Sequence, residues 1–150
     1  MKLSHELNRL EDAMRAAGSE ALRLARDGFE TIKKPDQSPV TSADLAVNDI
    51  LHAHLRSAFP QDGWLSEESP DDPERLQKER VWVVDPIDGT KAFIKSVPEF
   101  CISVALIEQG LPIVAAIYNP STNELFSAIR GEGLRLNHES VDSRQVNTGQ

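Results

Sequence analysis

Trp82-Val83-Val84-Asp85-Pro86-Ile87-Asp88-Gly89-Thr90 follows Val81 and turns from apolar and β-branched to acidic within a few residues. The run Val81 to Val84 has the composition of a short buried strand. At Asp85 it runs out: Pro86 removes a ladder donor, and Gly89 permits a turn that other residues resist. Two carboxylates three positions apart, Asp85 and Asp88, thus leave a rigid strand together where a helix can begin at Thr90. Hard cations such as Mg²⁺ take oxygen ligands of this kind, commonly one or two carboxylates plus substrate phosphate. A helix N-terminus beside them offers N–H groups to an anion. Taken alone, D-x-x-D-G is more often a plain turn. The rest of the chain decides.

The 150 residues are 39% hydrophobic and 27% charged, enough for one core and one domain. Lys and Arg number 16 against 24 Asp and Glu, a net charge of −8. That excess argues against a nucleic-acid polymer or an anionic membrane as partner. It leaves a small anionic substrate open, since a local metal can reverse the sign within a site. Cys101, the only cysteine, lies among Phe100, Ile102 and Val104, the place of a small buried hydrophobe rather than a nucleophile. Without a disulfide framework, a signal-like segment or a long apolar span, the chain reads as soluble and cytoplasmic.

Leu3, Leu7, Leu10, Met14, Ala17, Ala21 and Leu24 recur in steps of three and four, predicting a helix from about Ser4 to Asp27 with Gly28 as its stop. Lys33 and Lys34 then open a polar loop that runs through Pro39. Thr41 or Ser42 can cap a second helix to about Ala58, with Ala43, Val47, Ile50, His54 and Leu55 on one face. Asp44 falls in its first turn, where any carboxylate suits the dipole. His52 and His54, two apart on a helix, make a poor metal pair, and His5 and His138 have no identifiable partner. A short strand at Trp64-Leu65 leads to Ser66-Glu67-Glu68-Ser69, and Pro70 to Arg80 reads as a charged surface excursion. Past a short helix after Thr90, Cys101 to Ile107 and Leu111 to Tyr118 form a hairpin around Gln109-Gly110. Glu124 to Ile129 and Leu134 to Leu136 are further strands, and the polar tail from Asn137 to Gln150 closes into no element. The layout is α+β: two N-terminal helices packed on an antiparallel sheet.

Three signals stand in order: Ser38-Pro39-Val40-Thr41-Ser42-Ala43-Asp44, Leu65-Ser66-Glu67-Glu68, and Asp85-Pro86-Ile87-Asp88-Gly89-Thr90. As an ordered set they closely resemble the inositol monophosphatase superfamily of metal-dependent, lithium-sensitive phosphomonoesterases. Within it, S-P-V-T-x-A-D, L-S-E-E and D-G-T-K-x-F-I look most like the CysQ branch, the 3′(2′),5′-bisphosphate nucleotidases. The resemblance implies an Mg²⁺-dependent phosphomonoesterase holding two or three ions, with Mn²⁺ as a substitute. Its best substrate would be 3′-phosphoadenosine 5′-phosphate, cleaved to AMP and phosphate. An inositol monophosphatase is the alternative within the class, and a catalytically incomplete metal- or phosphate-binding domain the alternative outside it.

Carried over by position, the resemblance makes Glu67, Asp85 and Asp88 carboxylate metal ligands, joined by the Ile87 carbonyl. Thr90 and Glu67 would orient the attacking water, and Asp44 would support Thr90. Amides of Gly89 and Thr90 would hold phosphate, Glu68 would lie in or beside the metal shell, and Lys33 or Lys34 would match a loop lysine. The mechanism needs no enzyme nucleophile, and the sequence offers none. Relatives also carry a second α/β half with a W-D motif, whereas Trp64 precedes Leu65 and Trp82 precedes Val83 here. Residues 1–150 are therefore expected to be the N-terminal metal-binding half of the layered αβαβα phosphatase sandwich, without its C-terminal half. A sheet with helices on one side and a polar tail needs further cover, so a homodimer or an aggregation-prone chain is expected.

Overall fold

The computed structural model describes residues 2–141. Helix α1 spans Ser4–Asp27; of its predicted stripe Leu7, Leu10, Met14, Ala17 and Ala21 are buried, Leu3 and Leu24 are partly buried, and Ala13 joins them inside. Strands β1 (Thr31–Lys33) and β2 (Pro39–Thr41) pair as a small antiparallel ribbon, where the sequence reads as a polar loop. Each strand is three residues long, too few to show a strand period in the sequence.

Helix α2 spans Ser42–Ala58 and is capped by Thr41, whose hydroxyl accepts from the Ala43 and Asp44 amides. Its buried face is Ala43, Asp44, Val47, Asn48, Leu51 and Leu55. His54, expected on that face, is exposed, and Leu51 takes the inward position. Polar Asp44 and Asn48 occupy buried positions that an apolar count passes over. The helix faces inward through its chemistry as well as its hydrophobes.

The main sheet has seven strands in chain order: β3 (Gly63–Ser66), β4 (Arg80–Asp88), β5 (Cys101–Glu108), β6 (Leu111–Asn119), β7 (Glu124–Ile129), β8 (Leu134–Leu136) and β9 (Glu139–Ser140). A 3-10 turn at Pro73–Gln77 lies between β3 and β4, and a short helix α3 (Thr90–Ile94) between β4 and β5. From β4 onward every pair is antiparallel, and Gln109 and Gly110, both at positive φ, make the tight β5–β6 turn. The β3–β4 pair departs from the all-antiparallel expectation: it is parallel, with Ser66 beside Val84. The charged excursion between them is the crossover that a parallel pair requires. Glu139–Ser140, expected to lie in an unstructured tail, pairs as β9; residues 142–150 of that tail lie outside the described residues.

Both long helices lie on one face of the sheet, where Trp82, Val84, Ile102, Val104, Leu106, Val114, Ala116 and Leu125 meet Leu7, Leu10, Met14, Val47 and Leu51 in a single core. Gly18 brings α1 against Tyr118 of β6; a β-carbon there would collide with the ring. Among the described residues no helix is long and apolar enough to cross a membrane.

Candidate active site

The parallel pair sets the site. Because Ser66 stands beside Val84, the chain leaves both strands at the same end of the sheet, Glu67 from one and Asp85 from the other. Three positions along a regular strand would send Asp85 and Asp88 to opposite faces. The β4–β5 register slips between them, however: Asp85 faces Ser103 and Asp88 faces Cys101, so three steps on β4 match two on β5. That one-residue bulge at Pro86-Ile87 returns both carboxylates to one side. Pro86, with no N–H to offer the ladder, suits the bulge.

Gly89 follows at φ 93°, and a β-carbon on it would press within 3.3 Å of the Glu99 carbonyl. Thr90, which opens α3, has its Oγ1 at 3.0 Å from Asp44 Oδ1 and 3.1 Å from the Ile87 carbonyl. The single hydroxyl proton can serve one of these acceptors at a time. Asp44 is buried, and its other oxygen accepts from the Thr41 amide and the Thr41 hydroxyl, each at 2.7 Å. Asp44 is thus both a helix-cap residue and the anchor of Thr90. The cap and the site share one carboxylate.

Glu67 is exposed on the Ser66–Ser69 turn, while Glu68 turns inward to meet Lys34 Nζ at 2.8 Å. This hydrogen bond is the main cause that pushes the Lys34 ammonium pKa up and keeps it charged. Of the two candidate lysines, Lys34 lines the groove and Lys33 is an exposed end of β1. The groove, about 320 Å³, is bounded by Lys34, Ser38, Asp44, Glu67, Glu68, Ile87, Gly89 and Thr90. Asp85 does not line this groove but a neighbouring hollow with Ser66, Glu67 and Ser103, so Glu67 borders both. Burial pushes the Asp85 carboxyl up to about 6, helped by the negative charges of Asp88, Glu67, Asp44 and Glu68. Burial likewise pushes the Cys101 thiol up, the opposite of what a nucleophile needs.

A family model for the inositol monophosphatase family matches residues 3–149. The chain belongs to that family. It is 41% identical over 117 residues to the 3′(2′),5′-bisphosphate nucleotidase CysQ of Escherichia coli K12, covering 75% of this chain and 48% of that protein. Its fold matches the extragenic suppressor protein suhB of Bartonella henselae at a TM-score of 0.85 and 32% identity, over 91% of this chain and 53% of that one. It also matches an IMPase/NADP phosphatase solved with NADP and Ca²⁺, at a TM-score of 0.84 and 25% identity, over 93% of this chain and 53% of that one. The chain spans about half the length of the curated relatives it matches.

A hard divalent cation suits these donors. Glu67, after β3, and Asp85 and Asp88, ending β4, offer carboxylate oxygens at adjoining strand ends. Burial first, and then the neighbouring negative charges, raise the Asp85 pKa, and positive charge there would relieve that repulsion. Among the described residues no three His, Cys, Asp or Glu side chains close into a preformed cage. The carboxylates are near enough to repel but are not gathered into one sphere. Mg²⁺, which keeps several waters and binds through few carboxylates plus substrate phosphate, does not require such a cage.

Sequence reasoning missed the polar residues that hold the Ser66–Ser69 turn, Asn48 and Trp64. The Asp44–Asn48 spacing of four, which puts both on one helix face, was the available signal. His138 does have a partner: its Nδ1 lies 2.9 Å from Glu11 on α1.

Proposed function

We propose that this chain is the metal-binding part of an Mg²⁺-dependent phosphomonoesterase acting on a small phosphorylated substrate, with 3′-phosphoadenosine 5′-phosphate as the best candidate. One observation carries the reading. The Thr90–Asp44 hydrogen bond stands next to a half-buried Asp85 surrounded by four further carboxylates.

In this reading Glu67, Asp85 and Asp88 would hold two or three Mg²⁺ ions together with the Ile87 carbonyl, and Mn²⁺ would substitute. When bound, Mg²⁺ supplies polarised phosphate oxygens, an acidified water and a stabilised leaving alkoxide. With the Ile87 carbonyl given over to an ion, the Thr90 hydroxyl would donate to Asp44 and its oxygen would present lone pairs to the attacking water. Glu67 accepts from the same water. Amides of Gly89 and Thr90 receive the phosphate oxygens, and Lys34 neutralises Glu68 at the groove wall. Water attacks phosphorus, the ester P–O bond breaks, and the leaving oxygen takes up a proton.

The nucleotide substrate is supported by the CysQ relative, the most identical of the three proteins compared. Inositol monophosphate is the second reading, supported only by the name of the matching family. Phosphate release from 3′-phosphoadenosine 5′-phosphate and from inositol 1-phosphate, each with Mg²⁺, separates them. The nucleotide is expected to be hydrolysed faster. Hydrolysis of neither would support a metal- or phosphate-binding domain that is catalytically incomplete by itself.

A further inference from the structure

We infer that Asn48 is a positioning residue whose one side-chain amide holds Glu67 and Glu68 in register with the Asp85–Thr90 loop. The inference rests on the metal reading above and extends it to a residue that touches neither the ions nor the substrate.

Asp44 and Asn48 lie one helical turn apart on the inner face of α2, both buried, at 3% and 4% exposure. Asp44 secures the Thr90 loop. Asn48 secures the other loop at both of its ends. Its carbonyl oxygen accepts from Ser66 Oγ at 2.7 Å, and its amide nitrogen donates to Ser69 Oγ at 2.9 Å. Ser66 Oγ in turn accepts from the Glu68 amide at 3.3 Å, and the Ser69 amide reaches back to the Ser66 carbonyl at 3.3 Å. Trp64 Nε1 adds a second donor to Ser69 Oγ at 3.0 Å.

A buried asparagine is ordinarily hydrogen-bonded, and that alone would mean little. The choice of partners is what carries the inference. Both oxygens that Asn48 engages belong to the two residues bracketing Glu67 and Glu68. A single amide supplies the acceptor and the donor on two separate atoms, one for each serine; an ionised carboxylate has no donor, and a hydroxyl has only one oxygen for both. Helix α2 therefore acts as a ruler: one turn of helix sets the separation of the two carboxylate-bearing loops.

Releasing the turn would cost the two ions unequally. Mg²⁺ demands near-octahedral geometry at about 2.0–2.1 Å, while Ca²⁺ accepts irregular shells of 6–8 ligands. The test is calorimetric titration of the chain with Mg²⁺ and with Ca²⁺, comparing wild type, Asn48→Ala and Ser69→Ala below their melting temperatures. Mg²⁺ affinity is expected to fall about tenfold in Asn48→Ala, the lower end for groups that orient metal ligands. Ca²⁺ affinity should fall far less. Ser69→Ala, which keeps Asn48 in place and loses one end of the clamp, should move the same way by a smaller factor.

A variant that was merely less folded would lose both ions alike, so an equal loss overturns the inference, as does no loss. If Asn48→Ala does not fold, Ser69→Ala decides by the same ratio. A wild-type chain that binds neither ion brings down the metal reading and this inference with it. Wild-type binding with an unchanged Mg²⁺-to-Ca²⁺ ratio in the variants brings down this inference alone.

Discussion

Asp88 is exposed at the end of β4 and Asp85 is half-buried beside it, so the two acids should respond differently to change. Asp88→Asn removes a charge the fold does not need. Its melting temperature should stay near wild type while Mg²⁺ affinity drops and any phosphatase activity is lost; calorimetry with unchanged affinity would take Asp88 out of the site. Asp85 brings in pH. Its folded pKa of about 6 lies above the ordinary carboxylate value of about 3.9. The stability it contributes is complete below the ordinary value and lost as pH rises through about 6. At neutral pH the ion-free chain therefore carries an uncompensated carboxylate, and a bound cation compensates it. Mg²⁺ must displace the proton at low pH, so its affinity should be markedly weaker at pH 5 than at pH 7.5. Equal affinities would mean that Asp85 does not ligate the ion.

At the scale of elements, α1 contains a buried acid of another kind. Glu11 is 1% exposed beneath the β8–β9 turn. His138 approaches it to 2.9 Å, yet among the described residues neither Glu11 side-chain oxygen has a hydrogen-bond partner. Burial pushes its carboxyl up, against the pull of His138, Arg135 and Arg15. By the same sign rule, Glu11 costs stability above its folded pKa and not below the ordinary value. Glu11→Met keeps the volume and removes the charge, and His138, half exposed, is left in water rather than stranded. Thermal melts should show the variant equal to wild type near pH 4 and more stable near pH 7.5, on the order of 1 kcal/mol. A loss of stability at both pH values would mean that the Glu11–His138 contact is a net support for the α1–sheet packing.

At the largest scale, the sheet of the described residues is covered on one side. Helices cover the Trp82–Val84–Val104–Val114 face of the sheet, and among the described residues no helix covers the other. Across that open face the register places Asp85, Ser103, Ile117, Phe126 and Leu136 in one row, and Val83, Ala105, Ala115, Ala128 and Leu134 in the next. Val83, Ile117, Phe126 and Leu134 are all exposed. A contiguous apolar face of this sort recruits cover. The 150-residue chain is therefore expected to self-associate, as a homodimer or larger, in sedimentation at micromolar concentration. Its turnover should also lie far below that of a longer relative, because Asp85 stands at the end of the open row. A monodisperse monomer with full turnover would contradict both expectations.

The sequence by itself determined the local pieces. Helix α1, a cap at Thr41 or Ser42, the β5–β6 hairpin and the acidic turn at Asp85–Thr90 follow from short-range periodicity, capping chemistry and turn residues, all legible within a few positions. The ordered motifs were enough to mark the family. What the residues did not show is how distant pieces meet. Only the tertiary structure made β3 parallel to β4, and with it set Glu67 beside Asp85. It put Lys34, rather than Lys33, against Glu68. It slipped the β4 register so that two acids an odd number of residues apart share a side, and it turned Asn48 inward to clamp a loop 18 to 21 residues away. Strand direction, register and buried polar pairing are decided by which long-range contacts satisfy every backbone and polar group at once, and no stretch of neighbouring residues encodes them alone.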